Sequence, residues 1–394
     1  MTHTNHIVEQ DAHHVMPTYG RFPLAAECGK GAVLTDVDGK SYIDFTSGIG
    51  VNALGYCDEG WVKAVTEQLT KVQHISNYYY SPVTTELADR LIELSGMKKV
   101  FFGNSGAEAN EAAIKIARKY SFDKYGEGRS TIITFNSSFH GRTVTTLAAT
   151  AQDSFHNFFF PFTEGFKYAE LNDAEGLLEA LTPDVCAIFV EPIQGEGGVN
   201  IMTGEFALLL KKICEEKDIL LLFDEVQTGI GRTGRLYAFE HFGFCPDVVT
   251  SAKGLGGGLP IGAVLCGEKT MNVLTAGTHG TTFGGNPVVA AGALEVLKRV
   301  ADRDFLSSVG EKGRYITEKI LKMELPNVVQ VRGRGLMIGI QVTESPKDLC
   351  KKCLEAGLLT LTAGKDVLRL LPPLTISYEE IDQGLAILEQ VMKG

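Results

Sequence analysis

Apolar positions along this chain fall into two rhythms. Short continuous runs, such as Thr131-Ile-Ile-Thr-Phe, Val185-Cys-Ala-Ile-Phe-Val and Ile219-Leu-Leu-Leu-Phe, alternate with stretches of helical spacing at 61–69, 84–94, 205–217 and 288–300. A parallel strand buried on both faces reads as an unbroken apolar run, whereas a helix needs only one apolar stripe. The alternation predicts a parallel α/β sheet. Two regions break the pattern. Residues 29–45 alternate apolar and polar on either side of Asp38-Gly39, a hairpin signal. The last hundred residues read as helix, strand 328–332, Gly-Arg-Gly, strand 336–342, helix and strand 367–371, an α+β cap.

Length and composition narrow the picture. The chain has 394 residues, 44% of them apolar, 22% charged and 44 glycines. That is enough for one large α/β domain and a smaller one. With 37 basic and 48 acidic residues the net charge is −11, which argues against a nucleic-acid or anionic-membrane surface and for small-molecule substrates. Residues 1–17 lack the basic start and apolar run of a secretory signal, and no run reaches a membrane-spanning length, so the cytoplasm is the expected location. The polar start, with His3, His6, His13 and His14, reads as a mobile tail. Eight scattered cysteines suit isolated thiols better than a disulfide framework, and Cys350-x-x-Cys353 has no second pair to suggest a metal site.

The candidate chemistry lies where strands end. After Val100-Phe-Phe-Gly103, Ser105 and Glu108 have the spacing of a capping box, so a helix should open with Gly106 and Ala107 in its first turn. Backbone N–H groups there lack partners, and neither residue has bulk to block an anion, which makes a phosphate cradle; capping boxes also occur without ligands. Past strand 131–135, Phe139 and His140 are placed to stack on a planar ring and Arg142 to grip a carboxylate, unless Phe139 is simply core. Glu191 and Glu196 follow strand 185–190, and Asp224 ends strand 219–223, where α/β sheets bind ligands. Lys253 lies between a strand-like approach, Asp247-Val-Val-Thr, and a glycine-rich stretch that leaves room for a flat ligand; it is a candidate Schiff-base nucleophile. Thr281 and Thr282, in a polar turn, are hydroxyl donors suited to an anion. Arg369 alternates with leucines and must be either paired or poised for an anion. Gly229-Ile-Gly-Arg-Thr-Gly234 matches a dinucleotide fingerprint only formally, because no acidic residue ends a following strand at the required distance.

Taken in order, Ser105-Gly-Ala-Glu-Ala-Asn110, Phe139-His-Gly-Arg-Thr143, Glu191-Pro-Ile-Gln-Gly-Glu-Gly197, Asp224-Glu-Val-Gln-Thr-Gly229, Ser251-Ala-Lys-Gly-Leu-Gly-Gly-Gly258 and His279-Gly-Thr-Thr-Phe-Gly-Gly-Asn286 resemble the class III aminotransferases. The resemblance covers everything after the N-terminal tail. It implies a fold type I transferase dependent on pyridoxal 5'-phosphate, with a mostly parallel central sheet, helices on both faces and a smaller α+β domain. The domain division would be an N-terminal segment 1–55 joining the small domain, a cofactor-binding domain 56–288 and a C-terminal small domain 289–394.

By the same comparison, Lys253 would carry the cofactor as an aldimine and then shuttle a proton, while Asp224 would pair with the ring nitrogen. Gln227 would contact the ring oxygen, Val226 and Phe139 the ring faces, and Gly106 and Ala107 the phosphate. Thr282 resembles a phosphate ligand given by the neighbouring subunit, which implies a homodimer with shared sites. Arg142 and Thr281 align with contacts to an acetylated diamino acid. Arg369 resembles the arginine that takes the α-carboxylate of 2-oxoglutarate or glutamate, with Glu196 as a switch that covers it. Within the class, Tyr19-Gly-Arg-Phe-Pro23 and Gly48-Ile-Gly-Val-Asn-Ala-Leu-Gly55 look most like the subgroup acting on acetylornithine in arginine biosynthesis by a ping-pong reaction. Gly55-Tyr-Cys-Asp-Glu-Gly60 departs from the common Gly-His-x-His-Pro turn. Ornithine, succinylornithine and 4-aminobutyrate aminotransferases share nearly all these residues and stay open as alternatives, as does a glutamate-semialdehyde type aminomutase.

Overall fold

A computed structural model describes residues 2–394 of the chain. Its largest sheet has seven strands, in the order Lys99–Gly103, Gly262–Cys266, Val248–Ser251, Leu220–Asp224, Val185–Val190, Thr131–Phe135 and Phe166–Ala169. Only Gly262–Cys266 runs against its neighbours. The continuous apolar runs are the central strands, and every residue of Thr131–Phe135, Val185–Val190, Leu220–Asp224 and Val248–Ser251 is buried. Because these four strands are parallel, their carboxyl ends gather on one edge, bringing Asp224, Glu191 and the residues after Phe135 together.

The antiparallel strand was not foreseen. Gly262–Cys266 is short and follows a glycine-rich stretch. A Cβ on Gly262 would lie 2.1 Å from the Ser105 carbonyl oxygen, so the strand begins against the N-cap of the helix Gly106–Tyr125 and needs glycine there.

Among the described residues three smaller sheets complete the fold, one of them only the antiparallel pair Ile193–Gln194 and Asn200–Ile201. Val328–Arg334, Met337–Val342, Val367–Leu370 and Leu361–Ala363 form an antiparallel sheet. The expected hairpin appears as Val33–Asp36 and Ser41–Asp44, joined by Ala26–Lys30 on one edge and by Leu358–Leu359 on the other. The beginning and end of the chain therefore share a sheet.

The expected mobile tail is a correction. His3–His14 is a helix, with the Thr2 side chain accepting the Asn5 N–H and the Asp38 carboxylate accepting those of His3 and Thr4 at 2.9 and 3.2 Å. Asp11 pairs with Arg21 at 3.0 Å. Cys350 and Cys353 lie buried in the helix Pro346–Ala356, where desolvation raises both thiols, that of Cys353 to about 12. Among the described residues, no group of three or more His, Cys, Asp or Glu could hold a metal, and no helix is long and apolar enough to cross a membrane.

Candidate active site

A cavity of about 430 Å³ opens at the carboxyl edge of the parallel strands, with Lys253, Asp224 and Glu196 among its walls. Asp224 is its best-held charge. Oδ1 accepts the Val226 N–H at 3.0 Å, while Oδ2 accepts Asn110 Nδ2–H at 2.8 Å and lies 2.8 Å from His140 Nδ1. His140 Nδ1, facing this carboxylate, donates to it, while Nε2 is buried without a hydrogen-bond partner. The His140 ring stacks on Phe189 at 4.1 Å. The sequence reading placed that ring against a ligand; instead it positions Asp224 from behind.

Asn110 was not recognised as part of the site. It lies on the buried face of the helix Gly106–Tyr125, among Ala109, Ala112 and Ala113, and also donates to the His140 carbonyl at 2.7 Å. A buried amide among alanines is costly unless bonded, and that was its signal in the sequence. Glu191 was given no role either. Its carboxylate accepts N–H groups from Phe139 at 2.9 Å and Gly195 at 3.3 Å, joining two of the loops that wall the cavity. Burial pushes its carboxyl well above the usual range, with the charge of Asp224 acting the same way.

Lys253 follows the strand Val248–Ser251 and opens a single 3₁₀ turn, Lys253–Gly256. Its φ of +44° is uncommon for a residue with a side chain, a type of strain that concentrates at functional sites. Desolvation holds its amine below the usual lysine range, helped by Arg369 and opposed by Glu196, Asp224 and Glu191. The reactive neutral form is therefore favoured at lower pH than for an exposed lysine. In cofactor-free protein, the rate of capture of pyridoxal phosphate by Lys253 should titrate with a midpoint below the ordinary value of 10.5; a midpoint at or above it would contradict the desolvated setting.

The capping box is half formed. Ser105 Oγ accepts the Glu108 N–H at 3.2 Å, but the Glu108 carboxylate turns to Asn104, accepting its backbone N–H at 2.7 Å and its side-chain amide at 3.0 Å. The Gly106 and Ala107 N–H groups, at the helix start, have no intrahelical acceptor, and both residues line the cavity. A Cβ on Gly106 would lie 2.7 Å from Val226 Cγ1, so glycine is what lets Val226 close the cavity wall.

Arg369, 2% exposed, reaches the site from the antiparallel sheet. Its fork meets Glu196 at 2.8 and 3.1 Å, and Nη1 also donates to the Gly195 carbonyl at 2.8 Å and Gln227 Oε1 at 3.0 Å. Gln227 Nε2 in turn donates to Glu196 at 3.1 Å. Burial alone would raise the Glu196 carboxyl, but attraction to Arg369 and its hydrogen bonds outweigh that and hold it below the usual range. Across the cavity, Arg142 lies over the rings of Phe155 at 4.2 Å and Phe139 at 5.7 Å and has no ion-pair partner among the described residues. Thr281 and Thr282 are not brought to the cavity of their own chain. Thr281 Oγ1 accepts Asn104 Nδ2–H at 3.2 Å, and Thr282 lines a separate groove with Tyr79 and Tyr80.

These donors suit pyridoxal phosphate. Free N–H groups at a helix start answer a phosphate, a buried carboxylate fixed by Asn110 and His140 answers a protonated ring nitrogen, and a desolvated amine answers an aldehyde. Fold and site together define a pyridoxal-phosphate-dependent transaminase. The chain belongs to the class III aminotransferases: the family model described as aminotransferase class-III matches residues 15–392.

The acetylornithine aminotransferase of Haemophilus ducreyi is 48% identical over 392 residues, covering 99% of each chain. Among solved structures, the ornithine aminotransferase from Toxoplasma gondii superposes with a TM-score of 0.95 at 33% identity, covering 100% of this chain and 96% of that one. The N-acetylornithine aminotransferase from Stenotrophomonas maltophilia superposes with a TM-score of 0.85 at 36% identity, covering 98% of each.

Proposed function

We propose that this transaminase moves the side-chain amine of N2-acetyl-L-ornithine to 2-oxoglutarate, giving N-acetylglutamate 5-semialdehyde and glutamate, in the cytoplasm and as a step toward arginine. The observation that carries the reading is Arg369 held in the fork of a partly exposed Glu196. Glutamate and 2-oxoglutarate bear a carboxylate beside the reacting carbon; the side-chain amine of acetylornithine does not. One pocket must serve both. Glu196 paired with Arg369 neutralises the arginine for the amine donor, and Glu196 swung aside frees the fork for the carboxylate.

Bound pyridoxal phosphate would supply the aldehyde that takes up the amine and the ring that accepts electrons from the substrate carbon. Lys253 would hold the cofactor and then, released, carry the proton to and from the substrate carbon. Asp224, held by Asn110 and His140, would keep the ring nitrogen protonated, with Gln227 toward the ring oxygen and Val226 and Phe139 on the ring faces. Gly106 and Ala107 would bind the phosphate, and Arg142 the distal α-carboxylate of the donor, with Thr281 brought beside it by a second copy of the chain. Residues 56–288 would form the cofactor-binding domain, with 1–55 and 289–394 forming the smaller one.

The test of the donor is a comparison of kcat/KM for N-acetylornithine, ornithine, succinylornithine and 4-aminobutyrate, each with 2-oxoglutarate. The reading expects N-acetylornithine to lead; a clear preference for ornithine or 4-aminobutyrate would overturn it while leaving the transaminase intact.

We also propose a homodimer in which Thr282 completes the phosphate site of the partner. Thr282 lies outside its own cavity, and Tyr79 and Tyr80 in the same groove are 74% and 98% exposed, an aromatic display suited to burial by a second copy. Thr282→Ala should then weaken cofactor retention by about tenfold or more, the worth of one hydrogen bond to a charged group. Equilibrium dialysis of the cofactor checks this, and unchanged retention or a monomeric mass in light scattering would count against the shared site.

A further inference from the structure

A second and larger cavity, about 660 Å³, lies away from the site described above. Three chain segments meet there: the turn Thr233–Arg235 beyond Asp224, the helix Arg303–Lys322, and the end of the strand Val328–Arg334 with Gly335. Each contributes arginine: Arg235 from the turn, Arg303 and Arg314 from one face of the helix, and Arg334 from the strand. Of the chain's arginines, Arg21, Arg90, Arg118, Arg129, Arg232, Arg299, Arg332 and Arg369 all donate to protein acceptors, and Arg142 lies over aromatic rings at the catalytic cavity. The remaining four are those lining this cavity; among the described residues none of their guanidinium groups has a hydrogen-bonding or ionic partner.

Four unneutralised guanidinium groups gathered in one concavity of a chain of net charge −11 form a focused positive field. The neighbouring imidazole registers it: His241 is held down at about 4, first by burial and then by the charges of Arg334 and Arg235. One carboxylate, Glu318, lines the cavity against them. The floor is backbone. A Cβ on Gly313 would lie 2.1 Å from the Gly335 oxygen, and one on Gly234 would lie 3.3 Å from Gly310 Cα, so the segments pack without side chains between them. Thr317 adds a hydroxyl along the helix face, while that of Ser307 already donates to Glu311 at 3.3 Å. The volume falls in the range of roughly 300–1,000 Å³ usual for small-ligand sites.

We propose that this cavity binds a small polyphosphate, a linear anion of several charges whose oxygens engage the Arg235, Arg303, Arg314 and Arg334 forks. Guanidinium groups match phosphate oxygens two at a time, and a chain of phosphates spans groups brought from three segments in a way a single carboxylate does not. The bound anion would join the turn beyond Asp224 to the helix and strand that lead to Arg369.

The test is calorimetric titration of the holoenzyme, in which the cofactor already fills its own phosphate site, with inorganic triphosphate and, separately, ATP at low ionic strength. The proposal expects saturable binding of triphosphate that weakens as salt is added. In the doubly substituted Arg235→Gln, Arg334→Gln protein, binding should be weaker by about tenfold or more, while Lys63→Gln, Lys212→Gln, which removes the same charge elsewhere, should bind as the parent does. Equal affinity for both ligands would mean that phosphates alone are recognised, and tighter binding of ATP that a nucleotide is; both agree with the proposal. No saturable binding, equal weakening in both doubly substituted proteins, or binding that bleaches the cofactor's visible band would overturn it. Arg314→Gln, at an exposed helix position, repeats the test should the first protein unfold.

Discussion

Lys253→Ala is expected to lower kcat by about 10⁴-fold, the upper range for removing a positioned proton-transfer group, and more if cofactor attachment is lost as well. Alanine keeps the Cβ, so the left-handed backbone at φ +44° should persist and the fold with it. What disappears is an amine that burial holds below the usual lysine range, within reach of the carboxyl groups of Glu196, Asp224 and Glu191. An added small primary amine should restore part of the activity if the missing function is proton transfer. Single-turnover rates with and without that amine check this, and activity within tenfold of the parent would remove Lys253 from the account.

Arg369→Ala should separate the two half-reactions. The substitution takes away the fork that meets Glu196 at 2.8 and 3.1 Å and leaves that carboxylate without its main partner. Breaking one side of a buried ion pair costs about 3–5 kcal/mol. For glutamate and 2-oxoglutarate, whose α-carboxylate needs the fork, a loss of that size converts to about 10²- to 5 × 10³-fold in kcat/KM. N-acetylornithine brings no carboxylate to this point, so its half-reaction should fall by no more than about tenfold, the residual cost of a disturbed wall. Half-reaction rates followed in the cofactor's absorbance measure both, and equal losses would contradict the proposed switch.

Much of this site was legible because chemistry and burial leave different marks in a sequence. Asp224 ends five apolar residues and Lys253 follows a buried strand, so each stands out as a charge at the end of a strand covered on both faces. Arg369 stood out for the same reason, a cation among leucines, although the sequence left open whether it pairs or waits for an anion; in the structure it is paired with Glu196. Less was legible where one residue type serves several geometries. His140 beside Phe139 looked like a second stacking ring, yet its ring nitrogen faces Asp224 and its plane faces Phe189. Asn110 resembled any helix residue until its donors were seen to reach Asp224 and the His140 carbonyl.

The N-terminal helix has a different cause. His3–His14 carries no apolar stripe, and it is fixed by Asp38, a hairpin residue thirty-five positions beyond His3, which periodicity does not report. Its one buried residue is Thr4. The arginine-lined cavity was hidden for the same reason: Arg235, Arg303, Arg314 and Arg334 come from segments that only the fold brings together.

The most direct test of the central claim is the absorbance spectrum of the purified protein before and after addition of N-acetylornithine without 2-oxoglutarate. The account predicts a visible band from lysine-bound cofactor that gives way to the amine form of the cofactor on adding this donor, and returns when 2-oxoglutarate follows. A protein that shows no such band even after added pyridoxal phosphate, or whose band does not respond to N-acetylornithine, would contradict it.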